Sequence, residues 1–222
     1  MNLDSLNAGL LTCTRCPRLV DWRERVAREK RRAFQYQTYW GKPVPGFGDP
    51  LARVFVVGLA PGAHGSNRTG RQFTGDASGN FLYPALFKAR FASQPQAVSR
   101  MDGLFLTDLY TAPVCRCAPP DNRPTPQEMA NCQPYMLQEI EIIEPKVFVA
   151  LGRIAFDAVL RIFFLPKRDH VFSHASVHRL PGGEFLVGSY HPSRQNTQTG
   201  RLTGEMFDHV WKIVRELLDE RY

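Results

Sequence analysis

Four short apolar runs punctuate the chain: Val54-Phe55-Val56-Val57, Gly103-Leu104-Phe105-Leu106-Thr107-Asp108-Leu109, Lys146-Val147-Phe148-Val149-Ala150-Leu151-Gly152 and Phe185-Leu186-Val187-Gly188-Ser189-Tyr190. Runs that are this short and this apolar predict buried strands. Between them the apolar positions recur at helical spacing over residues 19–32, 81–87, 126–141, 153–163 and 205–218. The third of these helices carries its own start signal. Thr125 is followed by Pro126 at the first helical position and by Glu128 three residues on, a capping-box pattern. Strand and helix alternate, which argues for an α/β chain with a parallel sheet flanked by helices. No repeat, low-complexity tract or linker divides it, so residues 1–222 are expected to form a single domain.

The polar stretches between these elements are where chemistry is expected. Gly58-Leu59-Ala60-Pro61-Gly62-Ala63-His64-Gly65 and its continuation to Asp76 join the first strand to the first long helix. Strand carboxyl ends in open α/β sheets bind ligands, and small residues allow a ligand close to the backbone. Residues 34–50 combine Tyr36, Tyr39 and Trp40 with several prolines and glycines, a composition for an irregular loop packed by aromatics. Pro43 to Gly48 within it reads either as a groove lining or as a cover over the sheet.

Charge narrows the partner. The formal net charge is +7 and the isoelectric point about 9.4, which suits a polyanion such as nucleic acid and also an acidic membrane surface. No apolar run approaches the roughly 20 residues a bilayer requires, so a cytoplasmic protein without membrane partners is expected. Five cysteines at uneven spacing point to ligation rather than to disulfides. Cys13 and Cys16 form a C-x2-C knuckle, and Cys117 and Cys132 lie far downstream. The long second half favours a 4Fe-4S cluster over zinc, with unligated buried cysteines as the remaining reading. Spacing cannot choose between Cys115 and Cys117.

These motifs, taken in order, resemble the iron–sulfur uracil-DNA glycosylases and most closely their family 5 (UDGb) branch. The resemblance runs from Cys13 to about Phe207. It rests on the cysteines, Gly58-Leu59-Ala60-Pro61-Gly62, Gly70-Arg71-Gln72-Phe73-Thr74-Gly75-Asp76, Cys117-Ala118-Pro119-Pro120-Asp121-Asn122 and Tyr190-His191-Pro192-Ser193-Arg194-Gln195-Asn196. It implies a three-layer α/β/α fold around a four-stranded, mainly parallel sheet. It also implies a 4Fe-4S cluster on Cys13, Cys16, Cys117 and Cys132, and a monomer that removes uracil and other deaminated bases from double-stranded DNA.

Such an enzyme flips the damaged nucleotide into a pocket and reads it there. By the resemblance, Phe73 stacks on the base, and Ala60, Gly62, His64, Asn122 and His191 contact it. Phe73 taken alone would be core, and His191 a capping or core histidine. Breaking the N-glycosidic bond requires a donor to the leaving base and an acceptor for the attacking water. His191 is the candidate donor. The branch places its acid at Asp76, since Leu59 and Ala60 stand where other members carry a polar residue; Asp76 is equally well placed to cap the following helix. Asn122 completes the catalytic set. Arg68, Arg71, Arg194 and Arg201 are candidates for phosphate contacts, and Gln195 or Asn196 for the side chain that fills the gap in the duplex. His170, His174 and His178 recur every four residues, but no helix is evident there and no metal role is assigned to them.

Overall fold

The structure, a computed structural model, describes residues 2–219. Within these residues six strands make one sheet: β1 (Phe47–Gly48), β2 (Val54–Gly58), β3 (Leu109–Pro113), β4 (Val147–Leu151), β5 (Val177–Arg179) and β6 (Phe185–Ser189). Their spatial order is β1-β3-β2-β4-β6-β5. The middle four are parallel. The expected four-stranded sheet is therefore the parallel centre, and β1 and β5 extend it as antiparallel edges. Both edges are too short, and too poor in buried side chains, to leave an apolar run in the sequence.

Eight α-helices among the described residues surround the sheet: α1 (Leu3–Leu11), α2 (Pro17–Glu29), α3 (Ser66–Thr69), α4 (Ala77–Lys88), α5 (Pro126–Ile143), α6 (Arg153–Ile162), α7 (Arg194–Gln198) and α8 (Gly204–Asp219). Successive strand residues face opposite ways, and that alternation sorts the core. Val54, Val56, Val147, Val149 and Val187 pack with Leu82 and Leu86 of α4 and with Phe207, Val210 and Trp211 of α8. Phe55, Val57, Phe148, Ala150 and Leu186 pack on the other face with Met136 of α5 and with Phe156 and Val159 of α6. Burial on both faces is why these strands read as unbroken apolar runs. The capping box of α5 forms in both directions, Glu128 N–H to Thr125 Oγ1 at 3.2 Å and Thr125 N–H to Glu128 Oε2 at 2.7 Å. Among the described residues no helix is long and apolar enough to cross a membrane.

One strand expectation fails. Residues 103–108 are not a strand, and β3 begins only at Leu109. The Asp102 carboxylate folds that segment into a turn by accepting from the amides of Val98, Ser99 and Leu104. Asp108 then takes a φ of 59°, and its carboxylate binds the Arg53 guanidinium. The true strand, Leu-Tyr-Thr-Ala-Pro, is polar enough in sequence to be overlooked. The site is placed at the boundary of β2 and β4, because the chain runs on from β2 to β3 on one side and from β4 to β5 and β6 on the other. The crevice at the carboxyl ends of such strands is where open α/β sheets hold ligands.

Candidate active site

The loop after β2 is built around two close approaches that require glycine. A Cβ on Gly58 would meet the Phe73 ring at 2.8 Å, and a Cβ on Gly65 would lie 2.0 Å from Asp76 Oδ2. Gly62 also borders that carboxylate. Phe73 itself holds a φ of 50°, a conformation that side chains rarely adopt. Its neighbours enforce it: the Tyr83 hydroxyl donates to Gln72 O at 2.8 Å, and Arg71 Nε donates to Thr74 Oγ1 at 2.9 Å. The ring is buried at the edge of the core and stands 6.3 Å from the His191 ring.

Asp76 is the N-cap of α4. Oδ1 accepts from Gly79 N–H at 3.0 Å and caps α4, while Oδ2 faces Gly62 and Gly65. Burial raises its pKa, against the Gly79 and Ser78 amides and the Arg68 charge, which lower it. His191 follows β6, and burial pushes its pKa down to about 4. It is therefore a neutral imidazole at physiological pH, able to donate one N–H. Its carbonyl accepts from Asn196 Nδ2 at 2.8 Å, so Asn196 fastens the His191 turn as well as facing the site.

His191 and Asn196 line a cavity of about 300 Å³ with Leu59, Gly152, Tyr190 and Arg201. Leu59, the apolar residue where a polar one was expected of the wider family, is thus a wall of this cavity. Sequence reasoning missed Gly152, Tyr190 and Arg153, which also borders it. The handover from β4 through Gly152 into α6 was the available signal. Arg201 lies 4.8 Å from the Tyr190 ring centroid. Arg194 and Gln195 are exposed and Asn196 half-buried on α7, which replaces the flexible loop expected there.

Of the expected site residues, His191, Asn196 and Arg201 line the cavity, whereas Ala60, Gly62, His64, Phe73, Asp76 and Asn122 do not. Asn122 ends an exposed turn with a φ of 55° and does not line it. His64 is half-buried, its Nδ1 paired with the Tyr39 hydroxyl at 3.0 Å, and burial lowers its pKa. Arg68 and Arg71 correct the phosphate-contact expectation. Arg68 is 8% exposed and donates to His64 O, Gln37 Oε1 and Gly75 O. Arg71 is 5% exposed and forms a two-pronged pair with Asp102, both contacts at 2.7 Å. Burial would raise the Asp102 pKa, but Arg71 and three backbone amides hold it well below the carboxylate range. Both guanidiniums are used inside the protein. The ring nitrogens of His170, His174 and His178 likewise pair with backbone carbonyls.

Cys13, Cys16, Cys117 and Cys132 line one cavity together with Leu10, Leu19 and Pro43. Helix α1, which the sequence pattern did not reveal, supplies part of that wall. Arg116, with its side chain 1% exposed, pairs with Glu139 of α5, where the Tyr110 hydroxyl also donates. This clamp fixes the loop so that Cys117 faces Cys132. Arg23 is buried and donates to Cys117 Sγ at 2.9 Å; Asn131 donates to Cys16 Sγ at 3.4 Å. Among the described residues, the buried Nε atoms of Arg23 and Arg116 have no hydrogen-bond partner, and no group of three or more His, Cys, Asp or Glu side chains is positioned to hold a single metal ion. Four thiols around one cavity, with N–H donors aimed at sulfur, are a donor set that fits a thiolate-ligated cluster. Cys115 is fully buried and hydrogen-bonds to Cys132.

Residues 45–215 match the model of the uracil DNA glycosylase superfamily. The chain belongs to this superfamily and is an enzyme of the hydrolase class. Within it, the chain is 54% identical over 218 residues to a type-5 uracil-DNA glycosylase of Thermus thermophilus, covering 98% of this chain and 99% of the relative. It is 48% identical over 220 residues to a type-5 uracil-DNA glycosylase of Mycobacterium leprae, covering 97% and 96%. A type-4 uracil-DNA glycosylase of Thermotoga maritima is 34% identical over 153 residues, 68% of this chain and 69% of that protein. The family 5 resemblance read from the motifs is borne out.

Proposed function

We propose that this enzyme hydrolyses the N-glycosidic bond of uracil, and of other deaminated bases such as hypoxanthine and xanthine, flipped out of double-stranded DNA. The observation that carries the reading is the meeting of the half-buried, neutral His191 with Phe73, on a loop whose glycines cradle the Asp76 carboxylate. Phe73 offers an aromatic face at the edge of the base. Water attacks C1′ as the glycosidic bond, C1′–N1 in uracil and C1′–N9 in the purines, breaks and its electron pair passes to the base. The His191 N–H stabilises the negative charge that develops on the base carbonyl, where a fixed donor is most effective. Asp76 accepts the water's proton through the oxygen not used for capping. Leu59 in place of a polar side chain leaves an apolar wall that makes no demand on one base edge, which supports a range of substrates wider than uracil.

Cys13, Cys16, Cys117 and Cys132 hold a 4Fe-4S cluster in this reading, which serves as a covalent tie between the start of α2, the loop after β3 and α5. The protein acts in the cytoplasm as a monomer.

Excision assays on duplexes bearing uracil, hypoxanthine or xanthine test the activity. Release of all three bases is expected. Release of uracil alone would confine the activity to that base, and duplex binding with no base released would make the chain a binding module. Iron and sulfide analysis of the purified protein tests the cluster, and a colourless, zinc-containing product would refute it.

A further inference from the structure

Arg68 turns away from solvent, and what it holds up is a second surface. Its guanidinium lies 4.0 Å from the Phe34 ring centroid and donates to Gln37 Oε1 at 2.6 Å. The Trp40 amide donates to Arg68 O at 2.9 Å and the Gly41 amide to Asn67 O at 3.1 Å. The Tyr39 hydroxyl, two residues from Gln37, reaches His64 Nδ1. The turn over residues 31–37, with its 3-10 segment Arg32–Phe34, is thereby bolted to the same loop that carries Gly62 and Asp76. From that mount Tyr36 projects with 95% of its surface exposed. Arg31 and Arg32 beside it are exposed as well.

A lone exposed aromatic is ordinary. One held on a turn fastened to the loop that carries Asp76, with two exposed arginines on the same turn, has the parts used to hold nucleic acid: a π face for a base and charges for phosphates. Because the turn is already ordered by Arg68 and Tyr39, little ordering entropy is left to lose on binding.

We propose that the turn over residues 31–37 is a second DNA contact, resting on the glycosylase reading, in which Tyr36 stacks on an unstacked base beside the flipped nucleotide and Arg31 and Arg32 engage flanking phosphates. Stacking requires the ring and not the hydroxyl. Phosphate engagement requires charge alone.

The test uses the full chain with Tyr36→Ala, Tyr36→Phe and the double variant Arg31→Gln with Arg32→Gln. Affinity is measured for a fluorescent duplex carrying an abasic analogue, alongside uracil release at saturating enzyme. Tyr36→Ala is expected to weaken binding by about 5- to 100-fold, the worth of one base–aromatic stack, while Tyr36→Phe binds as wild type and the saturating excision rate is unchanged. The double arginine variant is expected to lower the salt slope of log K by about 0.9 for each phosphate it no longer neutralises. Since the Tyr36 ring is exposed, thermal unfolding of Tyr36→Ala should match wild type and remove misfolding as an explanation. If wild type releases uracil and Tyr36→Ala binds as well as wild type at matched salt, the second contact does not exist. Equal losses in Tyr36→Phe and Tyr36→Ala overturn stacking. A wild-type protein that neither binds the duplex nor releases uracil overturns the glycosylase reading instead.

Discussion

The loop after β2 and the loop after β6 draw on the same residue types, arginine, glycine and small polar side chains, and flank the same crevice. In the first, Arg68 and Arg71 are buried and answered by carbonyls, Gln37 and Asp102. In the second, Arg194 and Arg201 remain exposed, Arg201 over the Tyr190 ring, and Asn196 turns back onto His191 O. The first loop must hold Phe73 at a positive φ and Asp76 against two glycines, and it commits its cations to that rigidity. The second carries one chemical group, His191, already fixed by its place at the end of β6. An arginine near a site therefore supports the site or meets the ligand, according to how much strain its loop must hold.

The largest effects are expected at the two groups the loops present. His191→Ala removes a preorganised donor, and the single-turnover rate is expected to fall by about 100- to 1000-fold. Asp76→Asn keeps the cap oxygen but not the base, and a loss of about 10- to 1000-fold is expected. The wild-type rate should decline on the acid side at a pH above the ordinary carboxylate value, because burial raises Asp76, and Asp76→Asn should abolish that limb. A normal rate in Asp76→Asn would leave Asp76 as a cap alone.

The same two groups pull stability in opposite directions. With His191 held near 4 in the folded state and 6.5 ordinarily, the unfolded chain takes up the extra proton as pH falls from 6.5 toward 4, and stability is lost over that window. Asp76, raised above 3.8, binds its proton more tightly when folded, so stability falls as pH rises through its own window. Denaturant titrations of His191→Asn against wild type between pH 4 and 7 should show the first slope removed.

Next in size are the arginines. Arg71→Met leaves Asp102 buried without its partner, and denaturant unfolding should show a loss of about 3–5 kcal/mol. Arg194→Gln should leave unfolding unchanged and lower the salt slope of DNA binding by about 0.9. If Arg71→Met behaves like Arg194→Gln, the division of labour between the two loops is wrong.

Much of the frame was legible in the chain. Val54 to Val57, Val147 to Leu151 and Phe185 to Val187 read as strands because both their faces are covered, so no polar residue interrupts them. Thr125, Pro126 and Glu128 marked the start of α5, since a helix cap is a local contact between near neighbours. Asp76 and His191 were singled out through their motifs. The β3 strand was not legible, because Thr111 and Pro113 lack an apolar signature and acquire their place only by pairing with β2. Nor were the fates of Arg68 and Arg71, whose partners Gln37 and Asp102 lie about thirty residues away.

Short runs and local spacing were enough to settle the alternation of elements, and the resemblance carried by the motifs supplied the family, the cysteine set and the candidates for the reacting groups. The folded chain was needed to show which arginines point inward, that α1 lines the cysteine cavity and Arg23 donates to one of its sulfurs, that Asn122 stays outside the cavity lining, and that Tyr36 stands on a turn fastened to the loop after β2. The physical reason is the same throughout. A capping bond or a strand period is settled by neighbours in the chain, whereas the direction of a long charged side chain is settled by whichever acceptor the fold brings within reach.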